Sequence, residues 1–166
     1  MALNNFDYPV VASDFTPRPA RPTGEDEDAK IKVSSAITYR TRRHGNSITI
    51  MDANVNIVVT TIESWMVSSF LTDVNLLKHE QGHYDITAIG TREIYTELLL
   101  VTASTPNGLI ANINAIKQRI QQKIDATNIR YDTATNHYLN RPTQLVWDQH
   151  IATVKTNPVG KLNDLP

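Results

Sequence analysis

Hydrophobic and polar residues change period twice along this chain, and the changes divide it into three stretches. Before Ile31 there is no period: residues 12 to 30 collect Pro17, Pro19, Pro22 and Gly24 and then the acidic run Glu25-Asp26-Glu27-Asp28, a composition that buries little. Residues 1–30 are therefore expected to form a flexible N-terminal arm, and residues 31–166 a single domain. From Ile31 the period is two. Ile31, Val33, Ile37 and Tyr39 mark one strand, Ile48 and Ile50 a second after the turn residues His44-Gly45-Asn46, and Val55, Ile57 and Val59 a third. A small antiparallel sheet of about three strands follows, with Val55 to Val59 as its expected edge.

After Trp65 the spacing becomes helical. Thr72 or Asp73 can serve as N-cap, and Leu76, His79, Glu80, His83, Ile86, Ile94 and Leu98 share one broad face of a helix expected to reach about Ser104. Thr105-Pro106-Asn107-Gly108 is strong turn chemistry. Leu109, Ile113, Ile116, Ile120 and Ile124 then step at helical intervals through a second long helix, and Pro142 opens a short third one running through Trp147 to about Val154.

Composition narrows what such a chain can do. Its 166 residues, 40% of them apolar, suit one core. A net charge of -1 with mixed signs offers no basic stripe for nucleic acid. No stretch approaches the roughly 20 apolar residues of a membrane span, and no signal peptide opens the chain as given. With no cysteine, any transition-metal site must be built from His, Asp and Glu.

His79-Glu80-Gln81-Gly82-His83 is an H-E-x-x-H pattern inside an expected helix. Two histidines four apart project from one face, so both imidazoles can reach one zinc ion, while Glu80 between them can act as general base. Gly82 in mid-helix costs about 1 kcal/mol relative to alanine, which points to close packing beside the site. A catalytic zinc needs a third protein ligand. Glu93 and Glu97 lie about 15 and 21 Å further along the same helix and fail on reach unless the helix breaks, as it could at Gly90. The metzincin pattern fails because Ile86 and Ile89 stand where it needs Gly and His. The returning helix passes the level of His83 near Ile129 and that of His79 near Thr133, which brings residues 131 to 137 back to the metal. His137 is the first choice as third ligand and Asp132 its rival.

The runs Leu77-Lys78-His79-Glu80-Gln81-Gly82-His83-Tyr84-Asp85-Ile86 and Tyr131-Asp132-x-x-Thr135-x-His137, followed by Trp147, resemble a bacterial family of predicted secreted zinc-dependent proteases of otherwise unknown function. The resemblance covers about residues 35 to 152. It implies zinc on His79, His83 and His137, catalysis by Glu80, a place in or behind the site for Tyr131, Asp132 and Asp85, and a secreted or periplasmic location. Tyr138 departs from it, since the family commonly has glycine there. Asp85 would orient a ligand histidine, and Tyr131 would donate to the oxyanion.

The resulting expectation is an α+β, zincin-like zinc metallopeptidase acting on a peptide or protein substrate, with catalytic Glu80 and Tyr131. A non-catalytic zinc-stabilised binding domain and a zinc hydrolase of a non-peptide amide are the alternatives.

Overall fold

In the computed structural model, which describes residues 2–166, three helices pack beside two small sheets. One sheet joins β1 (Ala2–Asn4), β4 (Val33–His44), β5 (Ser47–Val59) and β7 (Thr102–Ala103); the other joins β2 (Thr16–Arg18), β3 (Ala29–Lys30) and β6 (Trp65–Val67). The helices are α1 (Val74–Leu98), α2 (Pro106–Thr135) and α3 (Arg141–Thr156). The architecture is a mixture of α and β, as the two periods require, but the sheets differ from the three antiparallel strands expected.

The two runs Ile48–Ile50 and Val55–Val59 belong to one strand, β5. Arg40 lies opposite Asp52 and Thr41 opposite Ile50, so Met51 is an extra residue, a β-bulge. The bulge moves the buried side from even positions (Ile48, Ile50) to odd ones (Ala53, Val55, Ile57). In sequence that phase change reads as a break between strands. Gly45 takes φ +56° in the turn while Asn46 does not, the sign pattern of a type II′ hairpin.

Val55 to Val59 is not an edge. β4 runs antiparallel along one flank of β5, and β1 lies parallel on the other, opposite residues 54 to 56. Asn5 extends that cover by donating its side-chain amide to the Ile57 carbonyl at 3.0 Å. Among the described residues, β4 pairs with β5 alone, so the open flank belongs to β4.

The expected loose arm is also different, since residues 2–30 are drawn into both sheets. Phe15 and Ala29 are buried with Met66, Leu76 and Tyr138, and the Val10 amide donates to Gln81 Oε1 at 2.7 Å. Strands of two or three residues carry no readable period, and the apolar residues that dock this segment are too scattered to make one. Met1, part of the same expectation, lies outside the described residues.

Asp73 caps α1, accepting from the amides of Asn75 and Leu76. The helix ends at Leu98 rather than near Ser104, and a connection holding β7 leads to Thr105, which caps α2 through the Gly108 amide. α3 begins at Arg141, capped by Asn140, with Pro142 in its first turn. α1 and α2 come together at two glycines. A Cβ on Gly90 would stand 2.4 Å from Ile124 Cγ1, and one on Gly82 would stand 2.2 Å from the Tyr131 hydroxyl. These contacts set the depth at which the site lies.

Candidate metal centre

Each residue of the His79–His83 turn has a different neighbour. Gln81 reaches the N-terminal segment through Val10 and Tyr8. Gly82 lets the ring of Tyr131 lie against the helix. His79, Glu80 and His83 face the side on which the end of α2 and residues 27 to 33 converge.

The imidazoles of His79 and His83 meet at their Nε2 atoms, 3.2 Å apart. Asp132 Oδ1 lies 3.1 Å from the first and 2.8 Å from the second. Three donors of one tetrahedral zinc, at bonds of 2.0–2.1 Å, would lie about 3.3 Å from one another, so the triangle has the size of a zinc face. The opposite nitrogens are committed elsewhere. His79 Nδ1 is 3.0 Å from Gln144 Oε1, and His83 Nδ1 is 3.0 Å from Asn128 Oδ1. Gln144 donates its amide NH2 to Asp148 and to the Tyr131 hydroxyl. That fixes its oxygen towards His79, which must donate from Nδ1 and present a bare lone pair at Nε2.

The His79 lone pair and the Asp132 carboxylate oxygen face each other across 3.1 Å, a repulsion relieved either by a proton on His83 Nε2 or by a metal cation among the three donors. The electrostatics favour positive charge at this point. Burial opposes charge on His83, but the hydrogen bond and charge of Asp132, with help from Glu80 and Asn128, raise it to about 9. Burial pushes Asp132 up, and the two histidines more than reverse this, holding its carboxyl far below the usual range. His79, the most deeply buried, is lowered by desolvation.

His137 stands one step further out. Its Nδ1 is 4.0 Å from Asp132 Oδ1 and 3.4 Å from Glu27 Oε1, and this buried atom makes no hydrogen bond. His79, Asp132 and His137 each offer a donor within 4.8 Å of the others. Both residues weighed as third ligand thus reach the site, with Asp132 nearer the two histidines of α1. An orphaned ring nitrogen beside three converging donors fits a metal ion. His137 hangs from an unusual turn, for Asn136, His137 and Tyr138 have φ of 47°, 47° and 71°. Non-glycine residues rarely enter the left-handed region, and three in succession hold this histidine in place only because α2 and α3 fix both ends. Tyr138, where the resembling family has glycine, keeps that conformation with its ring buried against Leu76 and Met66.

Glu80 lies beside the donors and is almost fully buried. Its Oε2 accepts from the Ile31 amide at 2.9 Å. Desolvation is the main reason its carboxyl is raised to about 7, with the negative charges of Glu27 and Asp132 adding to the shift. Glu80, His83 and Asp132 open on a cleft of about 240 Å³ between residues 30 to 33 and α2, where Gln121, Asp125 and Asn128 form the far wall.

Tyr131 does not face this cleft, contrary to the oxyanion role expected of it. It is fully buried behind the histidines, stacked on His79 at 4.6 Å, with its hydroxyl donating to the His79 carbonyl at 3.2 Å. Asp85 is also elsewhere: it accepts from Lys155 and Gln81 and ties α1 to α3. Glu93 binds the Leu162 amide and Glu97 pairs with Arg119. His44 and His150 are exposed.

Sequence reasoning missed Gln144, Asn128 and Glu27. The first two left a trace. Gln144 opens the buried stripe Gln144-Trp147-Ile151-Val154, and Asn128 continues Ile120-Ile124 at four-residue steps, so each is a polar residue at a core position. Glu27 sits in the acidic run and has no such mark.

A family model described as a bacterial protein of unknown function (DUF922) matches residues 15–138 of the chain. No curated protein and no solved structure matches it.

Proposed function

The chain belongs to this bacterial family of unknown function, and from that premise we propose that it is a zinc-dependent hydrolase, a metallopeptidase of zincin-like architecture that acts outside the cytoplasm. The observation carrying the reading is the triangle of His79, His83 and Asp132 with Glu80 beside it. His79, His83 and Asp132 would hold the ion, with His137 on its outer side. Imidazole and carboxylate donors without thiolate suit zinc.

When bound, zinc polarises a substrate carbonyl and makes water acidic enough to attack at neutral pH. The chain's own residues do the rest. Ile31 holds Glu80 Oε2, which leaves Oε1 to take a proton from a water in the cleft. A buried carboxylate placed beside the ion can both accept that proton and hand it to the leaving amine. Tyr131 and Gln144 keep His79 in one orientation. The cleft beside the start of β4 suits an extended peptide, since that strand's outer flank is open.

The test is to incubate zinc-loaded protein with unfolded proteins and a peptide library and to read new termini by mass spectrometry. Cleavage is expected, and Glu80→Gln should reduce it by at least about 100-fold while zinc stays bound. Equal cleavage by the variant, or none by the wild type, would overturn the peptidase reading. Retained zinc with no turnover on any substrate would favour a binding domain, and cleavage of small amides alone a non-peptide hydrolase.

A further inference from the structure

The two ligands on α1 are held from behind by carboxamides, and one of these comes from α3, beyond the residues 15–138 that the family model matches. We propose that Gln144 is the positioning residue of the metal centre: it fixes the tautomer and ring plane of His79, and Asp148 fixes Gln144. The inference rests on the zinc-site reading above.

A histidine can bind a metal through Nε2 only when its remaining proton is on Nδ1, and an acceptor at Nδ1 selects that form. A lone carboxamide would be an ambiguous acceptor, because its two ends are nearly isosteric and a half turn would offer NH2 instead. Here the ambiguity is removed. Asp148 Oδ1 accepts from Gln144 Nε2 at 2.8 Å, and the Tyr131 hydroxyl accepts from the same NH2. Lys78 holds Asp148 in turn through its other oxygen at 2.8 Å. The chain Lys78–Asp148–Gln144–His79 thus runs in one sense, from a cation through a carboxylate and an amide to the ligand.

Burial gives the arrangement its force. Gln144 is 3% and His79 2% exposed, so no solvent molecule stands ready to replace a missing acceptor, and an unsatisfied Nδ1–H would favour the other tautomer. Asp148 is a half-buried helix residue that meets Lys78 through one oxygen and Gln144 through the other. Its value lies in the direction it imposes on Gln144.

Zinc affinity, measured by competition with a chromophoric chelator, separates this role from a structural one. Gln144→Leu should lower affinity about 10- to 100-fold and remove the His79 Nδ1–H resonance from the proton spectrum of the zinc-loaded protein. The paired exchange Gln144→Glu with Asp148→Asn keeps an acceptor at His79 and a donor behind it, with the Tyr131 hydroxyl turned from the His79 carbonyl to donate to the new carboxylate, and should restore affinity to within about threefold of wild type. An unchanged affinity in Gln144→Leu would overturn the proposal. So would a paired variant that folds, by circular dichroism, but binds as weakly as Gln144→Leu. If the wild type itself takes no zinc, the failure belongs to the metal-site reading, and the Nδ1–H resonance in the metal-free protein still reports whether Gln144 sets the tautomer.

Discussion

The helices α1 and α2 approach closely at two glycines eight residues apart, and what each contact encloses is different. At Gly90 the partner is Ile124, with Leu162 beneath, and what a Cβ would meet there is side-chain carbon alone. At Gly82 the partner is Tyr131, whose ring carries His79 on its face and His83 at its edge. Both contacts exclude a methyl group. The Gly90 end can relax by sliding one hydrocarbon past another, since dispersion has no direction. The Gly82 end cannot, since Tyr131 also bonds the His79 carbonyl and Gln144, and every displacement moves a donor. The same packing device therefore supports stability at one end and geometry at the other.

The comparison breaks most severely if the donors themselves are removed. Asp132→Ala should lower zinc affinity more than 100-fold, beyond the 10–100-fold range of outer partners, and His137→Ala should lower it less, because His137 stands further from the triangle. Chelator competition ranks the two, and the reverse order would make His137 the third ligand. Gly82→Ala comes next: a displaced Tyr131 should cost about 1–3 kcal/mol of stability and about 10-fold or more in zinc affinity, read on one sample by calorimetry and titration.

Metal-free protein should show the polar end's sign in its pH dependence. Glu80 is raised from 4.5 to about 7, so its contribution is complete below about pH 4.5 and is lost as pH rises through 7. His83, raised to about 9, loses its contribution between about pH 6.5 and 9, again on the alkaline side. Asp132, held low, loses its own only in acid below its ordinary range. His79, held low by burial, works the other way and adds stability as pH rises to about 6.5. The midpoint of thermal unfolding in chelator should thus fall from about pH 6.5 towards pH 9. Glu80→Gln should remove the loss that Glu80 makes below about pH 7, at most about 3 kcal/mol. A midpoint that rises from about pH 6.5 to 9 would contradict this.

Gly90→Ala sharpens the contrast from the other side, costing about 1–3 kcal/mol through overpacking with zinc affinity unchanged. The smallest effect is expected at Tyr138→Gly. Relief of the left-handed backbone is worth about 1 kcal/mol, and loss of a buried ring costs about 2–3. A net loss of about 1–2 kcal/mol should appear by urea unfolding.

What could be read in advance follows from how far each residue's meaning depends on its neighbours in sequence. The stripes of α1 and α2 announce themselves because burial there repeats every turn. Counting residues around the hairpin put His83 level with Ile129, and the structure has Asn128 there, although the connection is not the one assumed. Tyr131 was assigned to the wrong side because its identity gives no direction; only the void at Gly82 does. The bulge at Met51 hid a continuous strand, and the docked N-terminal segment has no period at all. Gln144 was legible only as a polar residue in an apolar row, a signal that becomes chemical once His79 is seen beside it.

The partners of the His79–His83 turn have a further consequence, for the order in which the chain can assemble. His83 waits for Asn128, 45 residues on, His79 for Gln144, 65 residues on, and Gln81 for Val10, 71 residues back. Closing loops of that length comes late in folding. The helix can form early, but its side chains have no fixed aim until α3 and the N-terminal segment have both come in. On the peptidase reading proposed above, this order would be a safeguard in time, because a partly folded molecule could not yet attack its neighbours.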